Sequence, residues 1–119
     1  MSDGPLELAL LFDFFGDLLT DTQREYFDLY YNDDMSLAEV AELKGVSRPA
    51  VLDAVKKAKS AMRRLEDKTG VVKRFTVMRL GLMELQRKVS ELAAALPEGA
   101  EMRLAQEIAN DIEELKNGI

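Results

Sequence analysis

The chain has 119 residues, 47% of them hydrophobic, and carries a net charge of −6. This composition excludes a disordered chain and fits one domain, or one domain with a small appendage. It contains neither cysteine nor histidine, which excludes disulfides and thiolate metal sites and removes the commonest general base. We therefore expect no enzyme, no catalytic residue, no cofactor and no metal site. Because no apolar run approaches about 18 residues and no signal peptide is recognisable, we predict a cytoplasmic protein without a membrane span.

The charges are segregated along the chain. Residues 1 to 43 contain eleven acids and one base, a net charge of −10, whereas residues 44 to 74 contain ten bases and three acids, a net charge of +7. The remaining residues have a net charge of −3. Only the middle block can attract phosphate, so any nucleic-acid contact is expected there.

The first two predicted helices supply most of the aromatic residues. Residues 6 to 19 are densely apolar and predict a buried helix. Thr20 and Gln23 form a capping box that begins a second helix, which ends near residues 32 to 34. The tyrosines of this helix could pack beneath the following helices or stack on bases; their acidic neighbours favour packing.

The segment from Ser36 to Val55 predicts a helix-turn-helix. Ser36 with Glu39 forms a capping box at the start of the first helix, and Gly45 can end it in a left-handed conformation. Ala41 is a small residue where two helices would cross closely. Pro49 in the first turn predicts a second helix whose N-cap is either Ser47 or Arg48.

The second helix of the motif is predicted to continue to about residue 65 with a basic outer face. Its apolar stripe would be buried, leaving lysines and arginines in solvent. On one interpretation this face contacts DNA or RNA; on the other it is a solvated face whose bases complement the helix dipole. Pro49 offers no donor and Asp53 adds a negative charge, so we expect poor sequence preference. The predicted nucleic-acid-binding residues are Ser47, Arg48, Lys56, Lys57, Arg63 and Arg64.

Beyond Gly70 the sequence predicts a C-terminal helical hairpin broken at Pro97 to Gly99. Large apolar residues follow a heptad spacing over more than three heptads, and a second helix repeats it. The expected domains are residues 1–69 and 70–119. We predict a homodimer through the hairpin, since the return helix is too short to cover the stripe; the alternative is that the stripe folds back onto residues 6 to 19. The predicted dimerisation residues are Phe75, Met78, Leu82, Leu85, Val89 and Leu92.

The segments LLFDFFG, LLTDTQREYFDLYYNDD, SLAEVAE and VSRPAVLDAVK resemble the YlxM family, small bacterial helix-turn-helix proteins linked to the signal recognition particle pathway. The resemblance covers about residues 10 to 67 and is loose beyond Gly70. Family members commonly carry Gln and Tyr where this chain has Pro49 and Leu52. The resemblance implies an all-α fold similar to region 4 of bacterial sigma factors, and a regulatory role that touches the particle.

Two functions from different classes follow from these observations. The first is a DNA-binding regulator that uses the basic helix. The second is a protein-interaction module whose acidic aromatic surface, around Tyr26 to Asp34, binds a basic component of the signal recognition particle. The distribution of charge on the folded surface separates the two.

Overall fold

The computed structural model describes residues 4–118, and across this range every regular element is helical. The all-α class predicted from the sequence is confirmed. None of the helices in these residues is both long and apolar enough to cross a membrane. The six α-helices are α1 (Pro5–Phe15), α2 (Asp21–Phe27), α3 (Leu37–Lys44), α4 (Arg48–Thr69), α5 (Val71–Ala95) and α6 (Ala100–Asn117).

The chain divides into two compact units, one that ends at Val72 and one that begins at Lys73. The division lies three residues beyond the boundary expected at Gly70. In the first unit α1, α2 and α3 each pack on α4. The second unit consists of most of α5 together with α6.

Helix α1 is shorter and less buried than expected. It ends at Phe15, and residues 16 to 18 continue as one tight 3₁₀ turn. Leu8, Leu11, Phe15 and Leu19 are buried, whereas Leu6 and Leu18 are mostly exposed. The prediction of a buried helix from 6 to 19 was therefore wrong for part of the segment, because only one stripe of a helix can face one core.

An aromatic stack joins α1 to the residues after α2. The ring of Phe27 lies 5.0 Å from that of Phe12 and 4.6 Å from that of Tyr31. Phe27 is almost completely buried, and Tyr26, Tyr30 and Tyr31 pack half-buried against the same core. This arrangement agrees with the packing interpretation of the aromatic residues.

After Phe27 the backbone widens into a π-helical turn over Asp28–Asn32. Asp34 then adopts a left-handed conformation with φ 54°, and the chain turns into α3. The predicted end of this helix near residues 32 to 34 is confirmed. The π turn was not predicted, since no residue in DLYYN distinguishes it from an α turn.

The local signals of the helix-turn-helix are confirmed. The Ser36 hydroxyl accepts the Glu39 amide at 3.0 Å while the Glu39 carboxylate accepts the Ser36 amide at 3.1 Å. Gly45 ends α3 at φ 67°. The Ser47 hydroxyl accepts the Ala50 amide at 3.2 Å, so Ser47 rather than Arg48 is the N-cap of α4.

The end of α4 is tied to the start of α5 by a buried carboxylate. Gly70 closes α4 in a left-handed conformation, φ 61°. Glu66, only 4% exposed, accepts the Val72 amide at 2.9 Å. This bond satisfies one of the amides that a helix leaves without an acceptor in its first turn.

The second unit is an antiparallel helical hairpin, as predicted. The Arg79 guanidinium donates to the Lys116 carbonyl at 3.0 Å near the open end. Further along, the Gln86 amide donates to the Glu113 carboxylate at 2.6 Å and its oxygen accepts the Lys116 ammonium at 2.8 Å.

Substitution of Ala41 tests the crossing of α3 and α4. Ala41 is buried, and its carbonyl accepts the Val46 amide at the corner between the helices. Ala41→Leu should overpack this crossing and lower the free energy of unfolding by about 1 to 3 kcal/mol. Chemical denaturation measures the change, with Ala50→Leu as the control because Ala50 is exposed on α4. Equal stability of Ala41→Leu and the parent would contradict the crossing.

A second test concerns the hydrogen bonds of the hairpin. The Gln86 amide, followed by the Lys116 ammonium, lowers the pKa of Glu113. Because the pKa is lower in the folded hairpin, the ionised Glu113 carboxylate stabilises the hairpin at pH values above its ordinary pKa of 4.5. This stabilisation is lost as the pH falls through the lowered pKa. Gln86→Leu should raise the pKa of Glu113 towards 4.5.

Carbon-13 NMR titration of the glutamate carboxyls measures this change. Glu84 is the internal control, because its pKa is lowered mainly by Arg87 and should stay where it is. An unchanged pKa of Glu113 in Gln86→Leu would show that the two helices do not meet at this level.

Candidate nucleic-acid interface

The outer face of α4 is the candidate interface. Val51, Val55, Ala58 and Met62 of α4 are buried in the core of the first unit. The opposite face is exposed along the helix and carries most of its bases. A helix about 10 to 12 Å in diameter fits a DNA major groove about 12 Å wide, so this face has the dimensions of a recognition helix.

The corner where base contacts would be made is mainly apolar. The Ser47 hydroxyl is engaged as the cap of α4. Pro49 is exposed and lacks an amide hydrogen, and Val46 and Leu52 are each 37% exposed. Arg48 is exposed and is the one long polar side chain in the first turn of α4. The corner can therefore contact a thymine methyl or a single guanine, but offers few donors for sequence recognition.

Further along α4, the bases differ in how free they are to bind an anion. Lys56 and Arg64 are exposed and, among residues 4–118, form no ion pair or side-chain hydrogen bond. Lys57 pairs with Asp53 at 3.0 Å on the exposed face. Arg63 is half-buried and has an interaction partner. Lys56 and Arg64 are accordingly the strongest of the predicted phosphate contacts.

One further base belongs to this face. Lys68 is exposed in the last turn of α4, four residues after Arg64 and eleven after Lys57. These spacings place all three on one side of a helix. The sequence prediction omitted Lys68, although its spacing from Arg64 was the signal that could have included it.

Acidic and aromatic residues hold two other bases away from this face. Lys44 at the end of α3 pairs with Glu25 of α2. Lys59 donates to the Tyr31 hydroxyl at 3.0 Å, and its ammonium lies 5.5 Å from the centre of the Tyr31 ring. Glu25 therefore neutralises one base of the basic block, Lys44, whereas Tyr31 engages Lys59 of α4 without neutralising its charge. The residues of the first pair are 19 positions apart in the sequence and those of the second pair 28. A pattern of neighbouring residues therefore could not have predicted either contact.

The predicted dimerisation residues fall into two groups on α5. Met78, Leu85 and Leu92 are about half exposed. Phe75, Leu82 and Val89 are less exposed and alternate with them along the helix. The two groups thus occupy adjacent stripes of α5.

Comparison with known proteins places this fold in a family. A family model described as "Putative helix-turn-helix protein, YlxM / p13 like" matches residues 3–101. The chain belongs to the UPF0122 family. The resemblance to YlxM proteins is thereby confirmed, and the family match includes α1 to α5 and reaches the beginning of α6.

UPF0122 proteins of several bacteria are similar to nearly the whole chain. A relative from Thermoanaerobacter sp. (strain X514) is 39% identical over 115 residues, covering 97% of this chain and 98% of its own. One from Listeria welshimeri is 36% identical over 110 residues, covering 92% of each. A third, from Halalkalibacterium halodurans, is 39% identical over 95 residues, covering 80% of this chain and 87% of its own. Both units thus belong to what these UPF0122 proteins share.

Proposed function

We propose that this UPF0122 protein is a cytoplasmic regulatory protein, not an enzyme, that binds duplex DNA through the outer face of α4. The observation that carries the proposal is the exposure of Lys56, Arg64 and Lys68 on the outer face of α4, away from its buried apolar stripe. Exposed bases of this kind can neutralise phosphates and release their counterions. The family resemblance supports a role in the signal recognition particle pathway.

Duplex DNA fits this helix better than duplex RNA does. The major groove of A-form RNA is deep and narrow, so a helix cannot enter it, whereas the groove of B-form DNA admits one. The apolar corner at Val46, Pro49 and Leu52 leaves little capacity for hydrogen bonds to bases. We therefore expect DNA binding with a steep salt dependence and a weak preference for sequence.

Removing the charge of two bases on α4 tests the DNA interface. Lys56→Gln with Arg64→Gln should flatten the dependence of log K on log salt concentration by about 1.8, since each phosphate that the protein neutralises contributes about 0.9 to the slope. Fluorescence anisotropy with two unrelated duplexes at several salt concentrations measures both the slope and the sequence preference. Arg87→Gln with Arg103→Gln removes the same charge from the hairpin and is the control. An unchanged slope in the α4 variant would contradict the interface.

The second candidate function is a protein-interaction module. Asp21, Asp28, Asp33 and Asp34 are exposed around the half-buried tyrosines. This surface could bind a basic component of the signal recognition particle, such as its RNA-binding protein, through opposite charge. The helix-turn-helix would then be the scaffold that presents it.

The two functions predict opposite sensitivities to substitution. Asp28→Asn with Asp33→Asn should weaken binding to the particle's RNA-binding protein and leave the salt slope for DNA intact. Lys56→Gln with Arg64→Gln should do the reverse. Calorimetry with the purified particle protein, beside the anisotropy measurement, separates them. If neither pair of substitutions changes either affinity, both proposed surfaces are wrong.

We also propose that the protein is a homodimer joined through the hairpin of α5 and α6. Two copies of the α4 face on one duplex would double the number of phosphate contacts. Affinity would then depend on protein concentration as well as on salt.

A further inference from the structure

The hairpin has a heptad geometry that can be followed residue by residue. Buried and half-buried positions on each helix recur at alternating steps of four and three, the spacing of a seam between two helices. On α5 they are Phe75, Arg79, Leu82, Gln86, Val89 and Ala93, and Leu96, directly after the helix, continues the spacing. On α6 they are Met102, Ala105, Ala109, Ile112 and Lys116.

The seam is polar on one side and apolar on the other. Arg79, Gln86, Glu113 and Lys116 contact one another across the helices. They define the polar flank of the hairpin, which is satisfied by its own hydrogen bonds. The alternate seam positions, including Leu82, Val89 and Ile112, lie towards the other side.

That other side carries large apolar residues on both helices. Each of them comes one residue before a seam position. The seam positions concerned are Arg79, Gln86 and Ala93 on α5, and Ala109 and Lys116 on α6. In an antiparallel pair these preceding positions lie on the same side of the seam, so they form one surface, which we call the apolar flank. Its members are Met78, Leu85, Leu92, Ile108 and Leu115, each 41 to 58% exposed.

The hairpin cannot bury this surface within itself. Over residues 73 to 118, the buried hydrophobic residues are limited to Ala93, Ala105 and Ile112. The apolar flank alone exposes five larger ones. Exposed apolar patches of this kind mark interaction surfaces, because their removal from water is favourable.

The charges of the two helices indicate which partner fits. Residues 71–95 of α5 carry a net charge of +3, and residues 100–117 of α6 carry a net charge of −3. Beside the apolar flank, Lys88 lies on the edge of α5 and Asp111 on the edge of α6, both exposed. Since Gln86 is opposite Glu113, residues 88 and 111 lie at the same level of the antiparallel hairpin. The surface is therefore complementary to its own copy.

We infer that the apolar flank binds a second copy of this chain, with α5 of each protomer on α6 of its partner. A twofold axis parallel to the helices produces this arrangement. It covers Leu85 and Leu92 with the partner's α6, and sets Lys88 opposite the Asp111 carboxylate of the other protomer. A perpendicular axis would instead place α6 on α6, with acidic edges together.

The dimensions of the flank are adequate for a dimer. Two helices about 10 Å wide, over the roughly 27 Å length of an 18-residue helix, present a footprint of about 540 Å². Stable interfaces bury at least about 600 Å² of accessible surface per partner. The accessible surface of the flank is larger than its flat footprint because the side chains protrude. This inference deepens the homodimer part of the proposed function and does not depend on DNA binding.

Light scattering and sedimentation of the full-length chain test the surface. The parent should have twice the 13.4 kDa mass of one chain at micromolar concentration. Leu85→Glu should raise the Kd of the dimer at least about 100-fold, since each copy would bury an unpaired carboxylate. Leu80→Glu is the matched control: Leu80 is a similarly exposed leucine of α5 outside the apolar flank. Circular dichroism verifies that both variants are helical.

Mixing two charge variants tests the arrangement. Lys88→Glu and Asp111→Lys should each weaken the homodimer about tenfold, because each places like charges opposite each other. An equimolar mixture should recover the parent affinity as a heterodimer, in which both pairs again have opposite charge. An interaction within one chain cannot be restored by mixing.

A parent of 13.4 kDa at about 100 µM would overturn the inference, and so would equal weakening by Leu80→Glu and Leu85→Glu. Failure of the mixture to recover would overturn the placement of α5 on α6. None of these results bears on the salt slope of DNA binding, so a failure here is distinguishable from a failure of the proposed interface on α4.

Discussion

The first unit depends on burial of one apolar stripe of α4. Val51, Ala58 and Met62 have no measurable exposure, and α1, α2 and α3 are all held against this helix. Burying a large apolar side chain of this kind contributes about 1.5 to 3 kcal/mol. Since this stripe is the centre of the core, the remaining face of α4 must be in solvent. A long helix fixed on one side is thus available to carry charge on the other.

The packing of the first unit also determines which bases are free to meet a partner. Glu25 of α2 pairs with Lys44 at the end of α3, and Tyr31, in the π turn after α2, accepts a hydrogen bond from Lys59 of α4. The bases that have no such neighbour, including Lys56 and Arg64, lie on the outer face. Only some of the bases in the middle block, which has a net charge of +7, are therefore available on the outer face of α4.

The sequence predicted the features that are determined within a few residues. The capping boxes at Thr20 and Ser36 and the left-handed Gly45 each require only three or four neighbouring residues, and all three were predicted. The heptad spacing also predicted the hairpin. Features that depend on packing at a distance were missed: the exposure of Leu6, the Tyr31 hydroxyl as a partner of Lys59, and the buried Glu66 beneath the first turn of α5. No short-range pattern specifies which helix a side chain will meet.

The candidate site shows the same division. Helical spacing identified the basic residues on α4. It did not show which bases are free to bind a partner, because that depends on ion pairs such as Lys57 with Asp53 and Lys44 with Glu25. On α5 the apolar stripe was recognised, whereas its division between the seam and the apolar flank depends on the direction from which α6 approaches.

The π turn after α2 has a consequence for insertions and deletions. Such a turn accommodates one more residue than the α-helix would within the same rise. Loss of one residue from Asp28–Asn32 would therefore close the turn as a regular α turn and leave the residues before and after it nearly in phase. The contacts that such a loss could break belong to Tyr31, which stacks on Phe27 and accepts a hydrogen bond from the Lys59 ammonium. The identity of Tyr31 is therefore constrained more strictly than the length of the segment.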